Sequence, residues 1–428
     1  MKMKRLIAMV LSGILVVSTA ACGSKEEEKN EKPEKGGERT ITWMTTRSSW
    51  DAMNAVAADY MKENLDVKVE FEVISDRSSY NQKLKILAAS DELPDLFDSE
   101  ADSALEEIAK TGVLKDIDEL YEELDYTDNM MEIGLQYSRM SDGKLYNIAW
   151  ENNVEYFWYH KDLFEKAGIS KTPETFDEFL DCCKKLKSAG ITPIATWPGW
   201  EDLRWLAFIP YRLQGNDYIE GLKAGEVKMT DDIGIQAAEF YQELGQNYFQ
   251  DGWATSDYSN ALETFMGSNA AMYYIGTWQF NSFLDENGEL AEDYAYFKLP
   301  TVEGAKTDAS AMFSNSGTGT CVNEDKYDET LKDFLTYVFE NFPNVAFNEF
   351  NTVPPMKFEA DGEISEFNQA VLADCENLSG FAKTWDVTLD SATVETLEKE
   401  IVNLGMGVIT PEEFAEKVDA AIAENSEK

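Results

Sequence analysis

Five of the ten tryptophans in this 428-residue sequence are candidates for ligand contact, because they lie within two residues of glycine, proline or an acidic residue and outside apolar runs. These residues are Trp150, Trp197, Trp200, Trp278 and Trp385. A flat indole ring can stack on the apolar CH face of a sugar, while nearby carboxylates, amides or arginine bond its hydroxyl groups. Two segments place rings beside such partners, which are Glu151, Asn152, Asn153, Glu201 and Asp202. The pattern favours a sugar-binding cleft, although any one of these tryptophans alone also fits a core position.

Polar side chains also follow three predicted strands at the point where each strand ends. They are Thr45, Thr46, Arg47, Ser75, Asp76, Arg77, Asp98, Ser99, Glu100 and Asp102. In open α/β sheets, ligands bind beyond the carboxyl ends of the strands. We therefore expect these residues to form one polar rim, although each alone is also typical of a solvated loop.

The charge balance excludes several classes of function. There are 81 Asp and Glu residues against 37 Lys and Arg residues, which gives a formal net charge of −44. So acidic a surface repels nucleic acid, and the few basic residues argue against phosphate, sulfate or other anions as ligands. The single histidine, His160, rules out a multi-histidine zinc site and disfavours a Ser-His-Asp triad. We expect neither a metal nor a cofactor.

The N-terminus has the three parts of a secretory signal peptide. A basic start precedes the twelve-residue apolar run Leu6–Val17, and small residues follow it. Twelve residues are too few to span a bilayer as a helix, and no later segment reaches the roughly 18 apolar residues that a span needs. We therefore expect residues 1–21 to be a signal peptide and the remaining chain to be exported without a transmembrane helix.

Thr19–Cys22 resembles a bacterial lipoprotein box, with Thr19 where many such boxes have Leu. The resemblance implies that Cys22 carries fatty acyl chains such as palmitate and becomes the new N-terminus on the extracellular face of the cell membrane. Residues 23–39 are rich in Lys and Glu and have no large apolar side chain, so we expect residues 22–39 to be a lipidated, disordered tether. The alternative is an ordinary secretion signal with an incidental cysteine.

The four other cysteines are predicted to be small core residues. Cys182 and Cys183 are adjacent on a predicted helix and point in different directions, which disfavours a disulfide between them. The sequence leaves open whether Cys321 or Cys375 forms a disulfide. Five cysteines in all are too few for a disulfide scaffold of this length.

Hydrophobic periodicity alternates between strand and helix from Thr40 onward. Val67–Val73 alternates strictly, as a half-buried strand does, and the following apolar residues recur at helical spacing. Capping boxes begin two later helices, one at Thr175 with Glu178 and one at Thr410 with Glu413. Strand–helix alternation of this kind indicates βαβ units around parallel strands. The length of the chain favours two α/β lobes.

Several motifs resemble those of the family 1 extracellular solute-binding proteins, the lipid-anchored carbohydrate receptors of ABC importers, similar in plan to maltose-binding protein. They lie at residues 84–97, 142–146, 159–169, 173–179, 187–195, 265–278 and 299–300. Each motif is weak, but together with the lipoprotein box they are spread over nearly the whole chain, and the combination is specific. The sequence departs from the family in having His160 in place of Asn, Phe176 in place of Trp, and Ala149-Trp150 in place of a proline. We interpret His160 and Phe176 as packing residues.

The resemblance implies an α/β, two-lobed periplasmic-binding-protein-like fold with a ligand cleft between lobes that three chain crossovers join. It predicts an N-terminal lobe of residues 40–153 and 302–352, and a C-terminal lobe of residues 154–301 and 353–428. By position, Trp278 matches the aromatic platform of the family, Ser99 and Asp102 match cleft positions, and Trp385 matches a second aromatic residue. The predicted ligand-binding residues are Arg47, Asp98, Ser99, Glu100, Asp102, Trp150, Glu151, Asn152, Trp200, Glu201, Trp278 and Trp385.

The resemblance also implies the function, that of a monomeric receptor without catalytic residues that captures a mono- or oligosaccharide by lobe closure. The closed form would then deliver the sugar to the membrane permease of an ABC transporter. A first alternative is a cationic solute such as a polyamine, which acidic loops and aromatic rings also suit. A second is a lipid-anchored glycoside hydrolase, because such enzymes need only two suitably spaced carboxylates.

Overall fold

The computed structural model describes residues 38–47, 50–286 and 288–425. The strands are β1 (Arg39–Thr45), β2 (Val67–Val73), β3 (Leu96–Ser99), β4 (Asn153–His160), β5 (Ile194–Ala195), β6 (Met272–Gly276), β7 (Tyr294–Phe297), β8 (Met312–Asn315), β9 (Gly319–Val322) and β10 (Phe381–Ala382). The predicted signal peptide and Cys22 lie outside the described residues, as does the predicted tether up to residue 37.

Helices cover both lobes. They are α1 (Asp51–Glu63), α2 (Arg77–Ala89), α3 (Ser103–Ala109), α4 (Ile117–Glu123), α5 (Glu132–Ser138), α6 (Lys161–Lys166), α7 (Phe176–Ser188), α8 (Trp200–Gln214), α9 (Asn216–Ala224), α10 (Asp232–Asn247), α11 (Tyr258–Met266), α12 (Glu329–Phe350), α13 (Glu366–Asn377), α14 (Trp385–Thr388), α15 (Ser391–Gly405) and α16 (Pro411–Asn425). In the part of the chain that the structure describes, none of them is both long and apolar enough to cross a bilayer.

The N-terminal lobe is built on a four-stranded sheet of order β2-β1-β3-β9. Strand β1 is parallel to both β2 and β3, with Ile41 opposite Val69 and Trp43 opposite Leu96. Strand β9 returns from much later in the chain and is antiparallel to β3. The predicted alternation of strands and helices around parallel strands is confirmed for this lobe.

The C-terminal lobe is built on a mixed sheet of order β10-β8-β4-β6-β5, with β7 also paired to β4. Strand β4 is antiparallel to β6, β7 and β8, so this sheet differs from the predicted parallel arrangement. The reason is the path of the chain. It enters the lobe along β4 and leaves it along β8, and the two strands must therefore run in opposite directions.

Three crossovers connect the lobes, as predicted. Residues 149–152 lead into β4, residues 316–318 join β8 to β9, and residues 351–355 follow α12. The first and third crossovers lie side by side, because the Asn152 N–H donates to the Val353 carbonyl at 2.7 Å. Strand β8 belongs to the C-terminal sheet, although the sequence placed residues 302–352 in the N-terminal lobe. The chain returns to the N-terminal lobe only at residues 316–318, which join β8 of the C-terminal sheet to β9 of the N-terminal sheet.

Local signals at helix starts and in the cores agree with the structure. At the start of α16, the Thr410 N–H donates to Glu413 Oε2 at 2.9 Å and the Glu413 N–H donates to Thr410 Oγ1 at 3.2 Å, which confirms the capping box. His160 is buried and its Nε2 lies 2.7 Å from the Phe265 carbonyl, as expected of a packing residue. The four described cysteines are free thiols.

Candidate functional site

A cavity of about 1140 Å³ lies between the two sheets and is lined by residues of both lobes. The carboxyl ends of β1, β2 and β3 all open onto it, as the sequence predicted. The lining residues that follow these strands are Thr46, Arg47, Ser75, Arg77, Asp98, Ser99, Glu100 and Asp102. A cavity of this size exceeds the usual range of about 300–1,000 Å³ for small-molecule sites, and it is therefore large enough for a ligand of several sugar units.

Arg47 and two carboxylates form the floor of the cavity. The Arg47 guanidinium lies 3.1 Å from Asp98 Oδ2 and 3.3 Å from Glu151 Oε1, and it stacks 4.3 Å above the ring of Trp50. Asp98 is fully buried and also accepts hydrogen bonds from Trp43 Nε1 and Thr45 Oγ1. With its oxygens occupied in this way, Asp98 serves to orient Arg47.

Trp200 and Trp278 form an aromatic wall on the side of the C-terminal lobe. Their ring centroids are 6.0 Å apart and the planes meet at 63°, and both half-buried rings line the cavity. Gly276 makes this possible, because a Cβ atom there would lie 2.0 Å from the Trp278 ring. Two rings at this angle present a corner with two faces, which suits contact with the apolar surface of a ring-shaped ligand.

Arg204 lies one helical turn after Trp200, on the same side of α8, and also lines the cavity. Its guanidinium lies 5.0 Å from the Trp200 ring centroid. Buried Glu155 holds Arg204 Nε at 3.4 Å, and Asp386 holds Nη1 at 2.6 Å. The two carboxylates fix the arginine in the cavity wall, and their combined charge exceeds its own.

The two lobes also contact each other directly through residues beside the cavity. Tyr137 of the N-terminal lobe lies 6.3 Å from Phe381 of the C-terminal lobe, measured between ring centroids. The hydroxyls of Ser103 in the N-terminal lobe and Ser391 in the C-terminal lobe are 3.5 Å apart. Glu100 accepts a hydrogen bond from Thr318 Oγ1 at 2.9 Å. These contacts therefore bring N-terminal-lobe side chains against the C-terminal lobe and a crossover.

Two tryptophans that the sequence predicted as ligand-binding lie in the cores. Trp150 is fully buried, donates from Nε1 to Thr320 Oγ1 at 2.8 Å, and stacks on Phe339 of α12 at 5.7 Å. Trp385 is 2% exposed and stacks on Tyr218 at 6.1 Å. Both rings are covered by helices from distant parts of the chain, and neither lines the cavity. These two predictions are therefore corrected.

Two polar residues that the sequence predicted as ligand-binding also lie outside the cavity lining. Asn152 is buried in the first crossover, away from the cavity lining. Glu201 is fully buried and accepts a hydrogen bond from Trp205 Nε1 at 3.3 Å. Burial raises the pKa of the Glu201 carboxyl well above its usual value. Successive residues of a helix point about 100° apart, so Trp200 can face the cavity while Glu201 faces the core.

The sequence analysis missed several cavity-lining residues. They are Trp50, Tyr80, Tyr137, Arg204, Tyr258, Asn281, Asn351, Asn368 and Asp386. Arg204 could have been found from its spacing of four residues after Trp200. Asp386 had no such signal, because its contact with Arg204 joins residues 182 positions apart.

The chain resembles proteins that bind sugars. It is 24% identical to the diacetylchitobiose binding protein DasA of Streptomyces coelicolor over 83% of each chain. It is 26% identical to a galactooligosaccharide-binding protein of Bacillus subtilis over 83% of this chain and 82% of that one. A solved chitin oligosaccharide binding protein has the same fold, with a TM-score of 0.80 at 23% identity over 92% of this chain and 100% of that chain.

The family model described as bacterial extracellular solute-binding protein matches residues 48–341. The match covers more than half of the chain. It includes β3, β4, the Trp200–Trp278 wall and the first two crossovers. The chain belongs to the bacterial extracellular solute-binding proteins.

Proposed function

We propose that this chain is the substrate-binding component of an ABC importer, and that it captures an oligosaccharide in the cleft and delivers it to a membrane permease. Membership of the solute-binding family supports the transport role. The names of two relatives, which bind diacetylchitobiose and galactooligosaccharides, support an oligosaccharide as the ligand. The ligand would contact both lobes and favour their closure.

The observation that carries the proposal is the Trp200–Trp278 wall beside a floor of hydrogen-bonding side chains. A sugar has apolar CH faces and a rim of hydroxyl groups, so it needs both kinds of surface. The wall offers the faces of two rings, and Arg204 and Glu151 lie within the same cavity. Arg47 in the floor and Arg204 in the wall are each held by two carboxylates, so their positive charges are already balanced, which disfavours an anionic sugar.

A thermal-shift screen against mono- and oligosaccharides, followed by calorimetry on each hit, tests the proposal. We expect oligosaccharides of two or more units to raise the melting temperature more than their monosaccharides do, because they reach both lobes. Binding that is saturable and equal in low and high salt supports a neutral sugar. If no glycan of the panel shifts the melting temperature or releases heat, the sugar proposal is wrong.

A cationic solute is the second candidate, and the carboxylates of the cleft favour it. Glu100, Asp102 and Asp386 line the cavity together with the aromatic wall, and rings and carboxylates together attract cations. Spermidine serves as the probe. Affinity that falls steeply as salt rises from 50 to 500 mM would identify this class, because charge attraction is screened while sugar binding is not.

We also propose that Cys22 is lipidated and holds a monomeric receptor at the extracellular face of the cell membrane. The signal peptide and the lipoprotein box support this placement. In the native host, the wild-type chain should sediment with membranes and Cys22→Ser should appear in the soluble fraction. Light scattering of the soluble form should give the mass of one chain.

The relatives are binding proteins, and we propose that this chain likewise has no glycosidase activity. Incubation with each sugar that binds, followed by chromatography, tests this proposal. Recovery of the intact sugar is expected. Cleavage that persists after a second purification step would overturn it.

A further inference from the structure

Arg47 joins three parts of the chain through one guanidinium group. Nη1 lies 3.1 Å from Asp98 Oδ2, while Nη2 lies 3.3 Å from Glu151 Oε1 and donates to the Thr318 carbonyl at 2.7 Å. Asp98 lies in β3 of the N-terminal lobe, Glu151 in the first crossover and Thr318 in the second. We infer that Arg47 is a positioning residue that fastens two of the three crossovers to the N-terminal lobe and so sets the arrangement of the lobes.

The attachment to the N-terminal lobe is rigid. Asp98 is fully buried and bonded to two strands, because it accepts from Trp43 Nε1 at 3.0 Å and from Thr320 Oγ1 at 2.8 Å. Only 12% of the Arg47 side chain is exposed, and the ring of Trp50 lies against its guanidinium. Charge-assisted bonds in such a site are about twice as strong as neutral ones. The clamp of Arg47, Asp98 and Glu151 therefore moves with the N-terminal lobe.

The connection to the C-terminal lobe is made of weaker bonds. Asn153 Nδ2 lies 2.9 Å from Glu151 Oε2 and 3.4 Å from Asn315 Oδ1. Gly317 has a φ of +65°, and its N–H donates to Asn315 Oδ1 at 2.9 Å. The Asn153–Glu151 bond has one ionised partner and the bonds to Asn315 Oδ1 have none, whereas both partners are charged in the arginine–carboxylate pairs. Bending should therefore occur on the C-terminal-lobe side of the clamp, near residues 152–153 and 315–317.

The clamp also accounts for the positive charge of Arg47 in the floor of the cavity. The donors of Arg47 point at the chain's own Asp98, Glu151 and Thr318. Its main task is then to select the lobe arrangement that can bind sugar, and the apparent affinity falls with the fraction of molecules in that arrangement. This last step rests on the proposed function, but the effect on the lobes does not.

Small-angle X-ray scattering of the ligand-free full chain tests the inference. Glu151→Ala removes one arm of the clamp and keeps the Arg47–Asp98 pair, so it should fold. Arg47→Gln removes the centre of the clamp. Arg139→Gln is the matched control, since Arg139 pairs with Asp118 at 2.9 and 3.1 Å on an exposed face outside the cavity lining. Circular dichroism and thermal melting establish that each variant is folded.

We expect both clamp variants to give a broader distance distribution than wild type without sugar, and Arg139→Gln to match wild type. Sugar affinity should fall by about tenfold in the clamp variants, within the usual range of coupling between a conformational equilibrium and binding. If folded Glu151→Ala scatters like wild type, the inference is wrong even if sugar binds. If the scattering changes and no sugar binds wild type, the inference stands and the proposed sugar function fails.

Discussion

Trp200 and Glu201 are neighbours in the first turn of α8, but their side chains point about 100° apart and reach different surroundings. The Trp200 ring lines the cavity, 6.0 Å from Trp278, whereas the Glu201 carboxyl is fully buried beside Trp205. A motif that looked like one ring-and-carboxylate unit is thus divided between a candidate ligand site and a core.

On the cavity side, Trp278→Ala should weaken sugar binding by about 2 kcal/mol, or roughly thirtyfold, because a buried tryptophan contact typically contributes that much. Trp278→Phe keeps a flat ring and should lose less than half of that free energy. Calorimetry with the best sugar of the screen measures both. Equal affinities for wild type and Trp278→Ala would show that the ring is not part of the binding surface.

Gly276 should be needed for the position of Trp278. An added Cβ atom would lie 2.0 Å from the indole, so the ring must move in Gly276→Ala. We expect an affinity close to that of Trp278→Ala, and no further loss when the two substitutions are combined, since both remove the same contact. Fully additive losses in the double variant would contradict this explanation.

On the core side, Glu201 should make stability depend on pH. Its folded-state pKa is raised by burial above the usual 4.5, so the native state holds a proton that the unfolded chain has released. The free energy of unfolding should therefore fall as pH rises above about 4.5. Glu201→Gln keeps a neutral group of the same shape and should be more stable than wild type at pH 8 and equal to it at pH 4.

Chemical denaturation at both pH values measures this difference. Glu165→Gln, at an exposed position of α6, is the control and should leave the pH dependence unchanged. A gain for Glu201→Gln that is the same at pH 4 and pH 8 would show that ionisation of Glu201 is not the cause. Buried Asp202, whose pKa is also raised by burial, should keep part of the dependence in the variant.

Trp150→Ala should destabilise the fold much more than Trp278→Ala does. Trp150 is fully buried against Phe339 and Phe342, so Trp150→Ala should lower the free energy of unfolding by about 3–5 kcal/mol. Trp278→Ala should lower it by about 1 kcal/mol or less, because its ring is partly exposed. Urea denaturation of both variants checks this, and a small effect at Trp150 would contradict its core placement.

Features that depend on neighbouring residues could be predicted from the sequence. The Thr410–Glu413 capping box needs only the local chain, and the structure confirms both of its bonds. The polar rim after β1, β2 and β3 followed from strand order, because parallel strands end at the same edge of a sheet. The set of weak motifs between residues 84 and 300 indicated the family, and the match over residues 48–341 confirms it.

Contacts between distant segments could not be predicted. Trp150 and Trp278 both stand beside polar residues, yet α12 covers the first and the cavity opens onto the second. The partner that holds Arg204 in the cavity wall, Asp386, is 182 positions away. The clamp likewise depends on Arg47 meeting Thr318, 271 positions later.

By itself, therefore, the sequence determined the α/β class, the two lobes, the rim of strand ends and the family, since each depends on periodicity or on local motifs. Only the tertiary structure decided which tryptophans and carboxylates face the cavity and which are buried in the cores. The physical reason is that a side chain's surroundings are set by segments that pack on it from elsewhere in the chain. Polarity of the nearest neighbours in sequence does not reveal those segments.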